Sequence, residues 1–152
     1  MTENSFDVPR AQRWFAVEFN NRAWDLVEQA ERTDAQTEVM IHAAHAALMH
    51  WQAAGTALNS LRAYCLLATA YVAAGRTDGA ARYVKTCLEL LPQVEGATPF
   101  DRACTYGCAA ATYAKAGDRK LAREFHERAK VIAETLSTDD REVVEKLYPV
   151  QE

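Results

Sequence analysis

Apolar residues recur three and four positions apart along most of the chain, which is the spacing of amphipathic helices rather than of strands. The most regular stretch covers residues 64–91, where two such segments are separated by Gly75 and followed by Pro92. Glycine often ends a helix in the left-handed conformation, and proline cannot continue one. This stretch therefore predicts two antiparallel helices joined by a tight turn.

Residues that begin and end helices divide the rest of the chain in the same way. Pro9 suits the first turn of a helix. Thr33 and Gln36 have the spacing of a capping box, in which each side chain bonds to a backbone N–H at the helix start. The chain is thus predicted to be all-α, with seven helices over residues 9–31, 34–54, 57–74, 78–91, 99–116, 119–136 and 138–148.

Successive predicted helices pair into antiparallel hairpins within a single domain, residues 1–152. The hairpins cover residues 9–54, 57–92 and 98–136, the first of them degenerate, and a short capping helix follows over 138–148. The last two hairpins form a repeat with a shift of 42 residues. The matching positions include Tyr64 and Tyr106, Tyr71 and Tyr113, Gly75 and Gly117, Ala80 and Ala122, and Tyr83 and Phe125.

The second hairpin resembles a tetratricopeptide motif. The residues at that motif's spacing are Tyr64, Leu67, Ala68, Tyr71, Ala80, Cys87 and Pro92. The resemblance covers residues 64–134, and the later copy departs from it with Ala109 in place of leucine and Glu134 in place of proline. It implies antiparallel hairpins stacked as a right-handed superhelix, in which small residues let helices approach and aromatic residues fill the space between hairpins.

A second resemblance is to a family of small, uncharacterised bacterial helical-repeat proteins. It is carried by the segment 14–24 and by Ile41, His42, His45, His50, Trp51, Gly55, Thr56, Asn59, Arg62, Phe100 and Asp101. That resemblance implies a fold and no activity.

Charge and composition limit the partners. The formal net charge is −4 and the isoelectric point is near 5.6, which argues against binding to nucleic acid or to an anionic membrane surface. The first residues lack the pattern of a secretory signal, and no apolar run reaches the roughly 18 residues of a membrane span. The sequence therefore predicts a cytoplasmic protein. Its four cysteines, which form no C-x-x-C pair, are predicted to pack in the interior.

The second predicted helix carries His42, His45, His50 and Trp51. His42 and His45 are three residues apart and share a face, where they could together bind a metal ion. His50 points elsewhere, so three ligands do not converge on this helix. Partly buried histidines, a polar or pH-sensitive contact, and a metal pair are the alternatives. No metal site or cofactor is predicted.

Asn59 and Arg62 share a face at the start of the third predicted helix. Arg62 stands at a position that faces the concave groove of tetratricopeptide hairpins, where it could bind a carboxylate in a bidentate manner. The alternative is an intramolecular pair with Asp101 or with the end of a helix. The candidate ligand-binding or partner-binding residues are thus His42, His45, His50, Trp51, Asn59, Arg62 and Asp101.

The other groove positions, between the third and fifth predicted helices, are mostly small and apolar. They are Cys65, Thr69, Val72, Ala73, Cys104, Gly107, Ala111, Ala114 and Lys115. An exposed apolar concavity of this extent is unusual in a monomer. We expect the first two helices to pack into it and to leave little room for an extended peptide; a partner helix or a second subunit are the alternatives.

No motif of an enzyme is present: the chain has no Gly-x-Ser-x-Gly elbow and no phosphate-binding glycine loop. The favoured function is a non-enzymatic module that binds a protein or peptide partner, or another copy of itself. One alternative is a small-molecule or metal-binding domain with a pocket lined by His42, His45, Trp51, Asn59 and Arg62. An enzyme of unknown type is the third.

Overall fold

The computed structural model describes residues 5–150, and this part of the chain contains seven α-helices and no strands. The helices are α1 (Val8–Glu28), α2 (Asp34–Ala54), α3 (Ala57–Ala73), α4 (Thr77–Leu90), α5 (Pro99–Lys115), α6 (Arg119–Ala133) and α7 (Thr138–Leu147). The all-α prediction is confirmed. The predicted bounds differ most at the C-terminal ends of α1 and α6, which both end three residues earlier than expected.

Three helices begin with a capping box. In each, a threonine oxygen accepts from the backbone N–H three residues later, and that later side chain accepts from the backbone N–H of the threonine. The pairs are Thr33 with Gln36, Thr56 with Asn59, and Thr98 with Asp101. Losing such a cap typically costs about 1 kcal/mol. Two of the candidate binding residues, Asn59 and Asp101, therefore have a structural role.

Helix α1 ends early because Arg32 folds back over its last turn. The Arg32 guanidinium donates to the carbonyl oxygens of Leu26 at 2.9 Å and Gln29 at 2.7 Å. It also donates to the carbonyl oxygen of Ala73, at the end of α3, at 3.1 Å. One side chain thus satisfies orphan carbonyl groups of two helices and joins their C-terminal ends.

The odd-numbered helices form one side of the molecule: α1 contacts α3, α3 contacts α5, and α5 contacts α7. The helices α2, α4 and α6 each pack between successive members of that series. Gly75 and Gly117, which the 42-residue shift aligns, have φ values of 71° and 85°. Both therefore end a helix in the left-handed conformation that glycine adopts readily.

The apolar core consists of two clusters that meet at α3 and α4. The first cluster contains Met40 and Leu66, and the second contains Val84. Tyr64 and Tyr83 pack against both clusters. All four cysteines are free thiols packed in this interior, three of them buried.

The groove between α3 and α5 is filled differently from our expectation. The segment that packs into it is α7 with the residue that follows it, Tyr148, whose ring lies against Gly107 of α5. Helix α1 borders the groove through Asn20, Trp24 and Glu28, as expected in part, whereas α2 packs elsewhere on α3. The physical reason is that Gly107 carries no side chain and so leaves room for the ring of Tyr148.

Candidate binding cleft

A half-open cleft of about 520 Å³ lies among α1, α3, α5 and α7. We call it the Arg62 cleft. Its lining residues are Asn20, Trp24, Glu28, Leu61, Arg62, Cys65, Phe100, Asp101, Cys104, Thr105, Val143, Leu147 and Tyr148. Sites for small ligands commonly measure about 300–1,000 Å³ and combine apolar walls with a few polar groups. The Arg62 cleft has both properties.

Arg62 and Asp101 form a bidentate ion pair in this cleft. Arg62 Nε lies 2.7 Å from Asp101 Oδ1, and Arg62 Nη2 lies 3.1 Å from Asp101 Oδ2. The Asp101 side chain is 4% exposed, whereas that of Arg62 is 51% exposed. The intramolecular pair, one of the two alternatives that the sequence left open for Arg62, is therefore the one observed.

The charge of Asp101 is stabilised from two sides. Burial alone would raise the pKa of its carboxyl group, but hydrogen bonds from Arg62 and from Thr98 outweigh burial and hold the pKa below its usual value. Thr98 contributes its backbone N–H and its hydroxyl, each 2.9 Å from Oδ2. The hydrogen bond to Asp101 in turn raises the pKa of Arg62. Both groups are therefore charged at neutral pH.

Arg62 retains hydrogen-bonding capacity toward the cleft. A guanidinium has five N–H donors, and within residues 5–150 Arg62 donates from Nε and Nη2 to Asp101. Its Nη1 group makes no hydrogen bond to the residues that the structure describes. Because Asp101 fixes the orientation of the guanidinium, less side-chain entropy is lost when Arg62 binds a further group.

The rim between α1 and α7 is held by a weak contact. Lys146 Nζ lies 3.7 Å from Glu28 Oε2, and the two side chains are 73% and 48% exposed. Ion pairs exposed to this extent contribute about 0–1 kcal/mol. The rim therefore adds little to the attachment of α7.

Tyr148 closes the inner end of the cleft. It is buried, and its hydroxyl lies 2.9 Å from Thr69 Oγ1. Thr69 itself donates to the carbonyl oxygen of Cys65 at 2.8 Å, so Tyr148 is the donor to Thr69. Burial raises the pKa of the Tyr148 hydroxyl well above its ordinary value and keeps the proton in place. We call the site formed by Cys65, Thr69, Gly107 and Cys108 the Tyr148 socket.

A second cavity, of about 400 Å³, lies beyond the socket between α5, α6 and the segment 149–150. It is lined by Ala110, Ala111, Ala114, Arg119, Ala122, Arg123, His126, Glu127, Pro149 and Val150. Residues 100–105 of α5 face the Arg62 cleft, Gly107 faces the socket, and residues 110–114 face this cavity. Successive turns of α5 therefore line the cleft, the socket and the second cavity, and the buried ring of Tyr148 separates the two cavities.

The predicted histidine cluster on α2 lies outside this groove. His42 is exposed, whereas His45 is half-buried, with its Nε2 hydrogen-bonded to the hydroxyl of Tyr71 at 2.9 Å. The His45 ring also makes edge contacts with Tyr71 and Tyr83. Burial, followed by the charge of His42, lowers the pKa of His45. His45 is thus a neutral group packed among aromatic rings.

The other residues of that prediction have partners of their own. His50 stacks on Phe15 and is hydrogen-bonded to Gln12. The Arg13 guanidinium lies 5.8 Å from the ring centroid of Trp51. Nowhere in the described residues do three or more His, Cys, Asp or Glu side chains come together in a group that could hold a metal ion.

Of the seven candidate residues, the structure brings together Arg62 and Asp101 in the cleft. The contributions of Trp24 and Tyr148 were not anticipated. One signal was present: a glycine inside a helical pattern commonly marks close packing, and Gly107 interrupts α5 at the place where Tyr148 lies.

Comparison of the chain with protein-family models, with curated proteins and with solved structures finds no match. None of the helices between residues 5 and 150 combines the length and the apolar character needed to cross a membrane. The functional proposal therefore rests on the geometry of the groove.

Proposed function

We propose that the chain is a non-enzymatic, tetratricopeptide-like binding domain of the cytoplasm, whose hairpins stack as a superhelix, and that a protein or peptide partner binds in the Arg62 cleft. The observation that carries the proposal is a half-exposed guanidinium, held in a fixed orientation by Asp101, at the edge of an apolar cleft.

The cleft has the features of an interface anchor. Trp24, Phe100 and Leu147 supply apolar walls for a side chain of the partner, and Arg62 supplies a charged donor beside them. Binding energy at protein interfaces concentrates where an anchor side chain is desolvated in such a pocket, often beside an arginine. An apolar residue next to a carboxylate or a backbone carbonyl is the partner chemistry that fits.

A variant that blocks the cleft tests the proposal. Cys104 lines the cleft and is only partly exposed, so Cys104→Trp would fill it. Val131→Trp, at a 61% exposed position of α6 outside the cleft, is the matched control. Peptides selected by display on the wild-type protein should bind Cys104→Trp at least tenfold more weakly, and Val131→Trp with unchanged Kd, by fluorescence polarisation. Equal binding to all three folded proteins would contradict the proposal.

A small-molecule site is the second candidate, favoured by the cleft volume of about 520 Å³. The Arg62 cleft is not the pocket that we expected near the α2 histidines. Arg62 is the one residue that lines the cleft and was also predicted to line that pocket. Trp24 lines the cleft, whereas Trp14 and Trp51 do not. A panel of amphipathic carboxylic acids that raises Tm and quenches tryptophan emission would support this candidate, provided that Trp24→Phe abolishes the quenching. Quenching that persists in Trp24→Phe would place the ligand elsewhere.

A further inference from the structure

The first helix presents apolar side chains to solvent. Within residues 5–150, nine large hydrophobic side chains are exposed, and six of them belong to α1, to the residues just before it or to the end of α2. The six are Phe6, Val8, Trp14, Phe15, Val17 and Met49. A concentration of exposed apolar side chains on a folded protein commonly marks an interaction site. This end of the molecule is therefore a candidate interface.

The two ends of the helix series α1, α3, α5 and α7 differ in character. The terminal units of stacked helical hairpins need a polar outer surface, because no neighbouring unit covers it. Helix α7 meets this condition, since its sequence is mostly charged and only Val144 is buried. Helix α1 packs on α2 and α3 with one side, but its other side carries Trp14, which is 57% exposed. The α1 end thus resembles a stack that a further helix would complete.

The exposed side of α1 lies opposite the buried Ala16 and Ala23. Residues three and four positions apart share one face of a helix. We call the face centred on Trp14 the outer face of α1, and its residues are Arg10, Ala11, Trp14, Val17, Glu18 and Asn21. Tryptophan is on average a highly buried residue, so its place at the centre of this face indicates a contact with another molecule.

The charges of the outer face have opposite signs on the two sides of Trp14. Arg10 precedes Trp14 by four residues, and Glu18 follows it by four. Both side chains are exposed, and in the part of the chain that the structure describes neither forms an ion pair. A pattern that is complementary to its own reversed copy meets the condition of a two-fold symmetric contact, in which the same patch faces itself.

We propose that the chain forms a homodimer in which the outer face of α1 packs antiparallel against the same face of a second copy, with Trp14 next to the two-fold axis. Each residue then opposes the residue that lies equally far on the other side of Trp14. Arg10 opposes Glu18 of the second copy, and Glu18 opposes Arg10. The larger Val17 opposes the small Ala11, which leaves room for it.

Other alignments of the two helices match the charges less well. In the proposed alignment, Asp7 opposes the uncharged Asn21. An axis moved by one helical turn toward the C-terminus would place Arg13 opposite Arg22, and a parallel pair would place Arg10 opposite Arg10. Like charges that face each other across an interface weaken binding. The charge pattern therefore favours an antiparallel pair about Trp14, and with it a second copy as the partner.

The homodimer uses a different surface from the proposed partner site. None of the six residues of the outer face lines the Arg62 cleft, to which α1 contributes Asn20, Trp24 and Glu28. The two proposals can therefore fail independently of each other.

Analytical ultracentrifugation of the full-length chain measures the Kd of the dimer. Trp14→Ala should raise this Kd at least tenfold, because binding energy concentrates at central aromatic residues of an interface. Val131→Ala, at a 61% exposed position of α6, is the matched control and should leave the Kd unchanged. A wild-type chain that remains monomeric at about 1 mM would overturn the inference and assign the outer face to a different protein. An unchanged Kd in Trp14→Ala would also overturn it.

Reversing the charges tests the antiparallel arrangement. Arg10→Glu alone places two acidic side chains opposite each other, and Glu18→Arg alone places two basic ones, so each variant should raise the Kd at least tenfold. Mixed in equal amounts, the two variants should form a heterodimer with a Kd close to that of the wild type, because opposite charges then face each other at both contacts. Lys120→Glu, at an exposed position of α6, is the control for the change in net charge.

A mixture that associates as weakly as the separate variants, with all proteins folded by circular dichroism, would overturn the inference. Cys104→Trp, which blocks the cleft, should dimerise with the wild-type Kd. Loss of the dimer in Cys104→Trp would place the contact at the cleft and overturn the inference. Arg10→Glu should bind the peptides selected for the cleft with unchanged Kd, and that result separates the homodimer from the proposed function.

Discussion

Asp101→Asn removes the charge of the buried carboxylate with almost no change in volume, and its cost follows from the contacts. The carboxylate accepts four hydrogen bonds, two from Arg62 and two from Thr98. The side-chain amide of asparagine keeps one acceptor oxygen, but its NH₂ group takes the place of the other and faces hydrogen-bond donors of Arg62 or Thr98. Hydrogen bonds to charged groups contribute about 1.5–3 kcal/mol each when buried. Because Arg62 is half-exposed, we expect a total loss of about 2–3 kcal/mol.

Arg62→Ala should be less damaging than Asp101→Asn. It removes the half-exposed partner and leaves the carboxylate its two hydrogen bonds from Thr98, so we expect a loss of about 1 kcal/mol. A double-mutant cycle should then give a coupling energy of about 1 kcal/mol. In a protein of this size, each kcal/mol lowers Tm by about 2–4 °C, so urea and thermal denaturation both resolve these differences.

The direction of the Asp101 pKa shift determines how the stability difference between wild type and Asp101→Asn changes with pH. The pKa of Asp101 is lower in the folded state than its unfolded value of about 3.9. The stability that this carboxylate contributes is therefore fully present above pH 5 and is lost as the pH falls through the folded pKa. The difference between wild type and variant should shrink below about pH 4. A cost under about 0.5 kcal/mol at pH 7, or a difference independent of pH, would refute the reasoning. Asp25→Asn, at an exposed position of α1, is the control.

Two further predictions concern the aromatic cluster around Tyr71. Gly79→Ala should lower the free energy of unfolding, measured in urea, by about 1–3 kcal/mol, because the new Cβ would lie 2.2 Å from Tyr71 Cδ1. An increase in stability, which is the usual result of replacing a helical glycine by alanine, would contradict this prediction. Burial and the charge of His42 lower the pKa of His45, so the unfolded state binds the proton first and stability should fall as the pH drops below about 6.5. His45→Gln should flatten that decline, and an unchanged slope would be the contrary result.

The elements that sequence reasoning predicted well depend on local chemistry. A capping box such as Thr98 with Asp101 lies within four residues, and the glycines that end α3 and α5 act through their own backbone. The Arg62–Asp101 pair was also within reach as one of two alternatives, because the resemblance to a tetratricopeptide hairpin implies that Arg62 faces the groove.

The elements that were missed depend on residues distant in sequence. Tyr148 finds its place because Gly107, 41 positions earlier, has no side chain. Arg32 caps the last turn of α1 and also donates to the carbonyl oxygen of Ala73, 41 positions later in α3. The face shared by His42 and His45 was expected from spacing, but the partner of His45, the hydroxyl of Tyr71, lies on another helix. Helical periodicity contains no information about contacts between residues that are distant in sequence.

The two rings that belong to both core clusters have a consequence for the order of folding. Tyr64 and Tyr83 stack with centroids 6.3 Å apart, where the first cluster meets the second. Stacked hairpins gain most of their stability from nearest-neighbour contacts, so order can spread from one hairpin to the next. We therefore expect the α3–α4 hairpin, which supplies both rings, to form early in folding, so weakening this stack should slow the folding of both halves of the molecule together.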